Sequence, residues 1–276
     1  MTKPELTPYD EIAYPTFPIS YTHPDRLATV ATHFGMRPAA VERCRVLELG
    51  CSTGANLLSM AVMLPESEFV GVDLAGRPIA QGKARVEALG LKNLAFRQID
   101  LLEMAPDYGK FDYIIAHGLY AWLPPEVRDQ ILAICKGSLQ PQGIAYVSYN
   151  TFPGCYSRVM IREMILFHNR DFHDPQQQMQ QAVTLLKLLA NSRTGPDNYT
   201  KALQEEFERT SKRSREALTM TSWQKSSSPS IFTNSWSTLN AMNSSSWGKP
   251  TFSRCTQEAS RPRRKKCSIR FPMTSF

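Results

Sequence analysis

An α/β fold with a doubly wound, mostly parallel sheet is predicted by three features of residues 45–150. Short apolar runs alternate with amphipathic stretches, a glycine-containing turn follows the first run, and acidic residues close successive runs. The runs 45–49, 68–73, 94–99, 111–116 and 144–149 are each five or six residues long, the usual strand length. Between them, 55–64, 77–89 and 126–139 carry apolar residues at helical spacing. Val127, Ile131, Ile134 and Cys135 share one face, Pro125 suits the first turn, and Gly143 follows the end.

Upstream, residues 14–24 hold Pro15, Pro18 and Pro24, too many prolines for a helix, and read as an extended arm followed by a helix over 25–34. Downstream, 157–170 and 175–191 read as helices, and 197–217 as a charged helix. From residue 221 onward the character changes. About a third of residues 222–253 are serine, three tryptophans are scattered among them, and no period of a strand or helix survives. The resulting division is an arm and helix over 1–40, an α/β domain over 41–152, a helical segment over 153–217, and an aberrant, disordered tail over 218–276.

The 276 residues suffice for one large domain or two small ones. There is no run of eighteen apolar residues and no signal-peptide pattern at the start, which leads us to expect a cytoplasmic chain without a membrane partner. The six cysteines lack CxxC or Cys/His ligand spacing, which implies reduced thiols and no metal. A net charge of +7 invites a nucleic-acid partner until it is located: residues 251–276 carry +6 of it, so the rest is nearly neutral. No nucleic-acid partner is expected.

The segment Val46-Leu47-Glu48-Leu49-Gly50-Cys51-Ser52-Thr53-Gly54-Ala55-Asn56 combines a buried strand, a turn with two glycines and a helix start. In an open parallel sheet, ligands sit at the carboxyl ends of the strands where the chain order reverses. Gly50 lets the backbone come close to a ligand, and Gly54 permits tight entry into the helix. Glycines in such a turn are alone a weak signal, because dinucleotide enzymes use them too. A dinucleotide fingerprint, however, wants G-x-G-x-x-G to lay a pyrophosphate on the helix N-terminus, whereas here the spacing is G-x-x-x-G with Ser52 in the middle. Asp73, about twenty residues on at the end of the second strand, suits two ribose hydroxyls, and Asp100 after the third suits an adenine amino group. Glu48 is placed to hold a polar tail or orient the loop. Three acids on three successive strand ends fit a nucleoside with a zwitterionic tail better than a phosphate.

Taken singly, Glu48 reads as a satisfied strand-end acid and Asp73 as a helix cap; their joint spacing argues otherwise. Cys51 reads as a small loop residue, with no basic partner beside it in sequence to make it a nucleophile. His117 and Tyr120, the candidates for a catalytic role, follow the fourth strand, where a second substrate would approach. His117 reads equally as a base or as a loop histidine lining the pocket; Tyr120 and Trp122 read as packing before pocket walls. Met160, Met164 and Phe167 form a stripe that reads as core.

The chain resembles class I S-adenosylmethionine (SAM)-dependent methyltransferases. Glu48, Gly50, Ser52 and Gly54 match that family's first motif, with Ser52 in place of its commoner middle glycine, while Asp73 matches its ribose acid and Asp100 its adenine-contacting acid. Tyr14-Pro15-Thr16-Phe17-Pro18, Thr22-His23-Pro24-Asp25-Arg26-Leu27-Ala28, the stretch Glu42 to Cys51, and Tyr149-Asn150-Thr151-Phe152-Pro153-Gly154 resemble a bacterial subfamily with a methyltransferase regulatory domain after the catalytic one. The resemblance covers residues 10 to about 215. It implies SAM as cofactor, held by Glu48, Gly50, Cys51, Ser52, Gly54, Asp73, Leu74, Asp100, Leu101 and His117, and methyl transfer to an acceptor, protein or small molecule, that it does not name. The arm would fold over the cofactor. The (Asn/Asp)-Pro-Pro-(Tyr/Phe) signature of many amino and amide methyltransferases is absent, since His117-Gly118-Leu119-Tyr120 stands in its place, which argues against a nucleobase amine as acceptor. The alternatives are a SAM-binding regulatory or interaction protein without catalysis and an NAD-dependent oxidoreductase, the latter disfavoured by the missing third glycine.

The tail carries one further expectation. With codons compatible with Met220 and Trp223, residues 219–249 read one base earlier regain an amphipathic helix followed by a strand and resemble the subfamily's continuation, so the tail is expected to be a frameshifted C-terminus. A nucleotide sequence in which no single-base change near codons 210–218 restores that reading would overturn the expectation.

Overall fold

The computed structural model describes residues 16–192, 195 and 197–211. The tail 218–276, its proposed frame and its expected disorder lie outside these residues, as does the start of the arm. The elements are α1 (Pro24–His33), β1 (Arg45–Leu49), α2 (Ala55–Met63), β2 (Glu68–Asp73), α3 (Gly76–Ala88), β3 (Leu94–Gln98), β4 (Phe111–Ala116), α4 (Pro125–Ser138), β5 (Leu139–Val147), α5 (Tyr156–His168), α6 (Pro175–Asn191) and α7 (Asn198–Ser211). The five strands form one sheet of order β3-β2-β1-β4-β5, every pair parallel. The chain order reverses between β1 and β4, which puts the crevice for a ligand at the carboxyl end of β1.

Strands covered on both faces read as continuous apolar runs, and this is the pattern of β1 and β4, whose residues Val46–Leu49 and Tyr113–Ala116 are all buried. On one face Val46, Phe69, Phe96, Tyr113, Ile115 and Ile144 pack with Leu27 and Ala31 of α1, Leu57 and Met60 of α2, and Ile79 of α3. The alternate residues Leu47 and Ile114 point away from that cluster and are equally buried. Tyr113, a large fully buried side chain, keeps its hydroxyl satisfied by donating to the Ala39 carbonyl at 2.8 Å.

The fifth strand departs from expectation. It starts at Leu139, directly after α4, where Leu139 pairs with Phe111; an irregularity follows, with Gln142 at φ +66°, before Ile144–Val147 resume regular pairing. The expected run 144–149 is thus extended at its start and shortened at its end: Pro141 and Gly143 lie in the irregularity between the Leu139 and Ile144 pairs, which breaks the apolar pattern while the strand runs on. Among the described residues the sheet ends at β5. The arm is not wholly extended either: Ser20–Thr22 form a 3₁₀ turn.

Helices α5–α7 have a small core of their own, made of Ile161, Ile165, Ala182, Leu186 and Leu203. The start of α6 follows from Asp174, whose carboxylate accepts from Gln177 N at 2.7 Å, and Pro175 in the first turn. The stripe read as core is corrected in part: Met160 packs, half-buried, against this core, but Phe167 is 69% exposed under the Arg170 guanidinium, and Ile161 and Ile165 fill the interior. No helix among the described residues is long and apolar enough to cross a membrane.

Candidate functional site

The loop after β1 is held in shape by the end of β2. Gly50 N and Cys51 N donate to the Val72 carbonyl at 2.8 and 3.0 Å, and Gly54 N donates to Cys51 O at 2.9 Å. Gly50, Ser52 and Gly54 all have positive φ, at +71°, +51° and +72°, a turn that alternates in and out of the left-handed region. Glycine is at home there; Ser52 is not. Its backbone is fixed by Asp73, whose carboxylate accepts from Ser52 N at 2.7 Å and from Ala75 N at 2.9 Å. Asp73 therefore ties the loop to the start of α3 with two charge-assisted bonds.

Under this loop three glycines leave room for one aromatic ring. A Cβ built on Gly54, Gly71 or Gly82 would stand 1.9, 2.7 or 3.0 Å from ring atoms of Phe96. The ring thus fills the space beneath the turn, contacting β2 and α3 at once.

Glu48 is buried at the end of β1. Its Oε1 accepts from Asn56 Nδ2 at 2.8 Å, while Oε2 is buried without a partner. Burial, with the Asp73 charge adding to it, pushes the carboxyl up to about 8, against the opposing Asn56 hydrogen bond. Cys51 is buried beside both acids, and desolvation and their charges push its thiol well up, which makes it inert packing. On the other flank, Leu74 lies exposed beside Asp73, and its carbonyl accepts from Gln98 Nε2 at 3.0 Å. Asp100 sits two residues past β3 and accepts from Leu102 N at 2.9 Å, with Leu101 half-buried in the turn this closes.

His117 follows β4, close to β5 and the arm. Its Nε2 lies 3.4 Å from the Tyr21 hydroxyl and its Nδ1 3.4 Å from that of Tyr146, with the three rings mutually within 6.1 Å. Burial lowers its pKa, so the imidazole is neutral at neutral pH. Tyr120 is placed differently: it packs on Tyr149 and under Arg128, and burial raises its phenol. The Trp122 side chain lies outside the described structure. Sequence reading missed Tyr21, Tyr146, Asn56, Thr22 and Phe96, all of which bear on the site through contacts distant in sequence.

The family model described as "Methyltransferase domain" matches residues 46–143, the stretch that carries β1 to α4. The structure of PKMT2 from Rickettsia typhi in complex with AdoHcy superimposes with a TM-score of 0.72 at 35% identity, covering 83% of this chain and 44% of that one. The chain belongs to the class I SAM-dependent methyltransferases. Two Rickettsia prowazekii relatives bear the name uncharacterized protein. RP028 is 40% identical over 199 residues, 72% of this chain and 80% of the relative; RP789 is 42% identical over 191 residues, 69% of this chain and 34% of the relative. The chain thus spans most of one relative but about a third of the other, and under half of the PKMT2 chain. The cofactor of this family is SAM, and the residues above fit its parts: a carboxylate with an unpartnered buried oxygen at the β1 end, a second carboxylate bracing the loop at the β2 end, and a loop without Cβ atoms at its two glycines.

The state of Glu48 has a measurable signature. Its folded pKa of about 8 exceeds the ordinary 4.5, so the native chain holds a proton there that the unfolded chain releases. Stability therefore falls as pH rises from about 4.5, by up to about 1.4 kcal/mol per pH unit, and levels off above the folded value. Glu48→Gln removes this titration. In melting curves without cofactor, the variant is expected to gain on the wild type steadily between pH 5 and about 8; a constant difference would show Glu48 to be ionised throughout.

Proposed function

We propose that this chain transfers the methyl group of SAM to an acceptor reaching the carboxyl ends of β4 and β5, and that residues 41–152 are the catalytic unit. In this reading Glu48, Gly50, Cys51, Ser52, Gly54, Asp73, Leu74, Asp100, Leu101 and His117 hold the cofactor. The observation that carries it is the buried Glu48 Oε2, which has no partner in the protein and stands beside a loop already braced by Asp73. A buried carboxylate oxygen is left unsatisfied only at a cost, and a cation such as the ammonium of the cofactor's amino-acid tail removes that cost.

Bound SAM supplies a methyl already activated on a sulfonium. The residues of the chain need only orient, exclude water and, for an acceptor that carries a proton, receive it. Neutral His117, between two tyrosine hydroxyls, is the group on the acceptor side able to do so. Tyr120, beside Arg128 and Tyr149, serves as a wall. The acceptor is a protein or a small molecule. The separate core of α5–α7 supports reading 153–217 as the start of a further, regulatory region.

Calorimetric titration with SAM, followed by incubation of a bacterial lysate with methyl-labelled SAM, tests the reading. Binding with label on a defined fraction is expected, and His117→Gln is expected to reduce labelling roughly 10²-fold or more if the acceptor must lose a proton. Binding without any transfer would favour a SAM-responsive regulator, and binding of NAD instead would overturn the assignment.

A further inference from the structure

Asn56, in the first turn of α2, is 5% exposed and uses both donors and an acceptor lone pair of its amide. Its Nδ2 lies 2.8 Å from Glu48 Oε1 and 3.0 Å from Thr22 Oγ1, and its Oδ1 accepts from Ile19 N at 2.9 Å. The Thr22 side chain is fully buried, and its hydroxyl donates to Ile19 O at 2.9 Å, leaving its lone pairs for Asn56. The orientation of the amide is therefore fixed: its oxygen must face the Ile19 N–H, so its nitrogen must face the carboxylate. The same stretch of arm makes two more contacts with the crevice, through the Thr16 and Thr53 hydroxyls and through Tyr21 to His117.

From this geometry we infer that Asn56 is a positioning residue that sets the Glu48 carboxylate and the arm, residues 16–22, in one arrangement, so that the arm is a built wall of the cofactor site. The inference rests on the reading of the crevice as a SAM site and adds to it two residues, Asn56 and Thr22. One amide holds Glu48 Oε1 and leaves Oε2 for the ligand, and the other end of that amide holds the arm. Ordering of the arm and binding at Glu48 are then linked, because each favours the same amide position. The other titratable groups facing Glu48 among the described residues are Asp73 and Cys51, and both are present in every variant below.

Three variants separate the two halves of the link. Asn56→Ala removes both; Asn56→Asp keeps an acceptor for Ile19 N but sets a second carboxylate against Glu48; Thr22→Val cuts only the arm side. SAM affinity is read by calorimetry across pH, and arm docking by chymotryptic cleavage after Tyr21 with and without SAM. We expect all three variants to bind SAM at least about 10-fold more weakly, the loss of one to two buried hydrogen bonds. The two Asn56 variants move the pH profile of binding upward, because the hydrogen bond that favours ionised Glu48 is gone. Thr22→Val leaves that profile in place. SAM slows cleavage after Tyr21 in the wild type and loses this effect in Asn56→Ala and Thr22→Val. Wild-type affinity, profile and protection in Asn56→Asp and Thr22→Val, the milder changes, would overturn the inference. If the wild type itself fails to bind SAM, the methyltransferase site reading falls, and the link is still decided by cleavage without ligand, which must be faster in Thr22→Val than in the wild type.

Discussion

Asp73→Ala is expected to weaken SAM binding roughly 10- to 100-fold or more, and to lower stability as well. The two losses have separate causes. The ribose of the cofactor, in the proposed site, gives up charge-assisted hydrogen bonds at about 1 to 3 kcal/mol. Independently of any ligand, Ser52 N and Ala75 N lose their acceptor at 2.7 and 2.9 Å, and Ala75 is buried, so its amide is left without a partner. Ser52, at φ +51°, also loses the bond that holds it in a region costing a non-glycine residue about 1 kcal/mol or more. Asp73→Asn keeps one acceptor oxygen and is expected to fall between the two. Calorimetry for affinity and melting for stability distinguish the terms. An Asp73→Ala protein with a lower melting temperature but unchanged SAM affinity would confine Asp73 to bracing the loop and remove it from the proposed site.

That double duty was only half legible beforehand. The position of Asp73 at the end of 68–73 follows from an apolar run that stops at an acid, and such runs are readable because β1 and β4 are covered on both faces and most of β2 is buried or half-buried. Sequence alone offers helix cap and ribose ligand as rivals, whereas the folded carboxylate braces loop and helix start at once. The bounds of β5 were misread because Pro141 and Gly143 look like an end, yet Leu139 already pairs with Phe111. Asn56 and Thr22 could not be found by periodicity or motif. They meet across 34 positions of sequence, and a buried amide held by tertiary partners leaves no local pattern. The same holds for Tyr21 and His117, 96 positions apart. What was legible is what repeats along the chain; what was not is what closes across it.

Gly54→Ala is expected to have the larger effect on the fold. At φ +72° an alanine pays about 1 to 2 kcal/mol for the left-handed conformation alone. Its Cβ would also stand 1.9 Å from Phe96 Cζ, far inside contact distance, so the ring or the loop must move. The ring cannot move freely: it is 4% exposed and enclosed by Gly71 and Gly82 as well, where added methyl groups would meet it at 2.7 and 3.0 Å. Overpacking of this kind typically adds about 1 to 3 kcal/mol. The sum of about 2 to 5 kcal/mol corresponds to a fall in melting temperature of about 5 to 15 °C for a folded unit of this size. Displacement of the loop would also misplace Ser52 and the Gly50 backbone, so SAM binding is expected to fall below detection. The two causes separate in a double variant: Gly54→Ala with Phe96→Leu relieves the clash but not the backbone strain, and is expected to recover part of the stability lost in the single variant. A Gly54→Ala protein that melts within about 2 °C of the wild type would show that the loop absorbs the methyl by rearranging, and that Phe96 does not hold its shape.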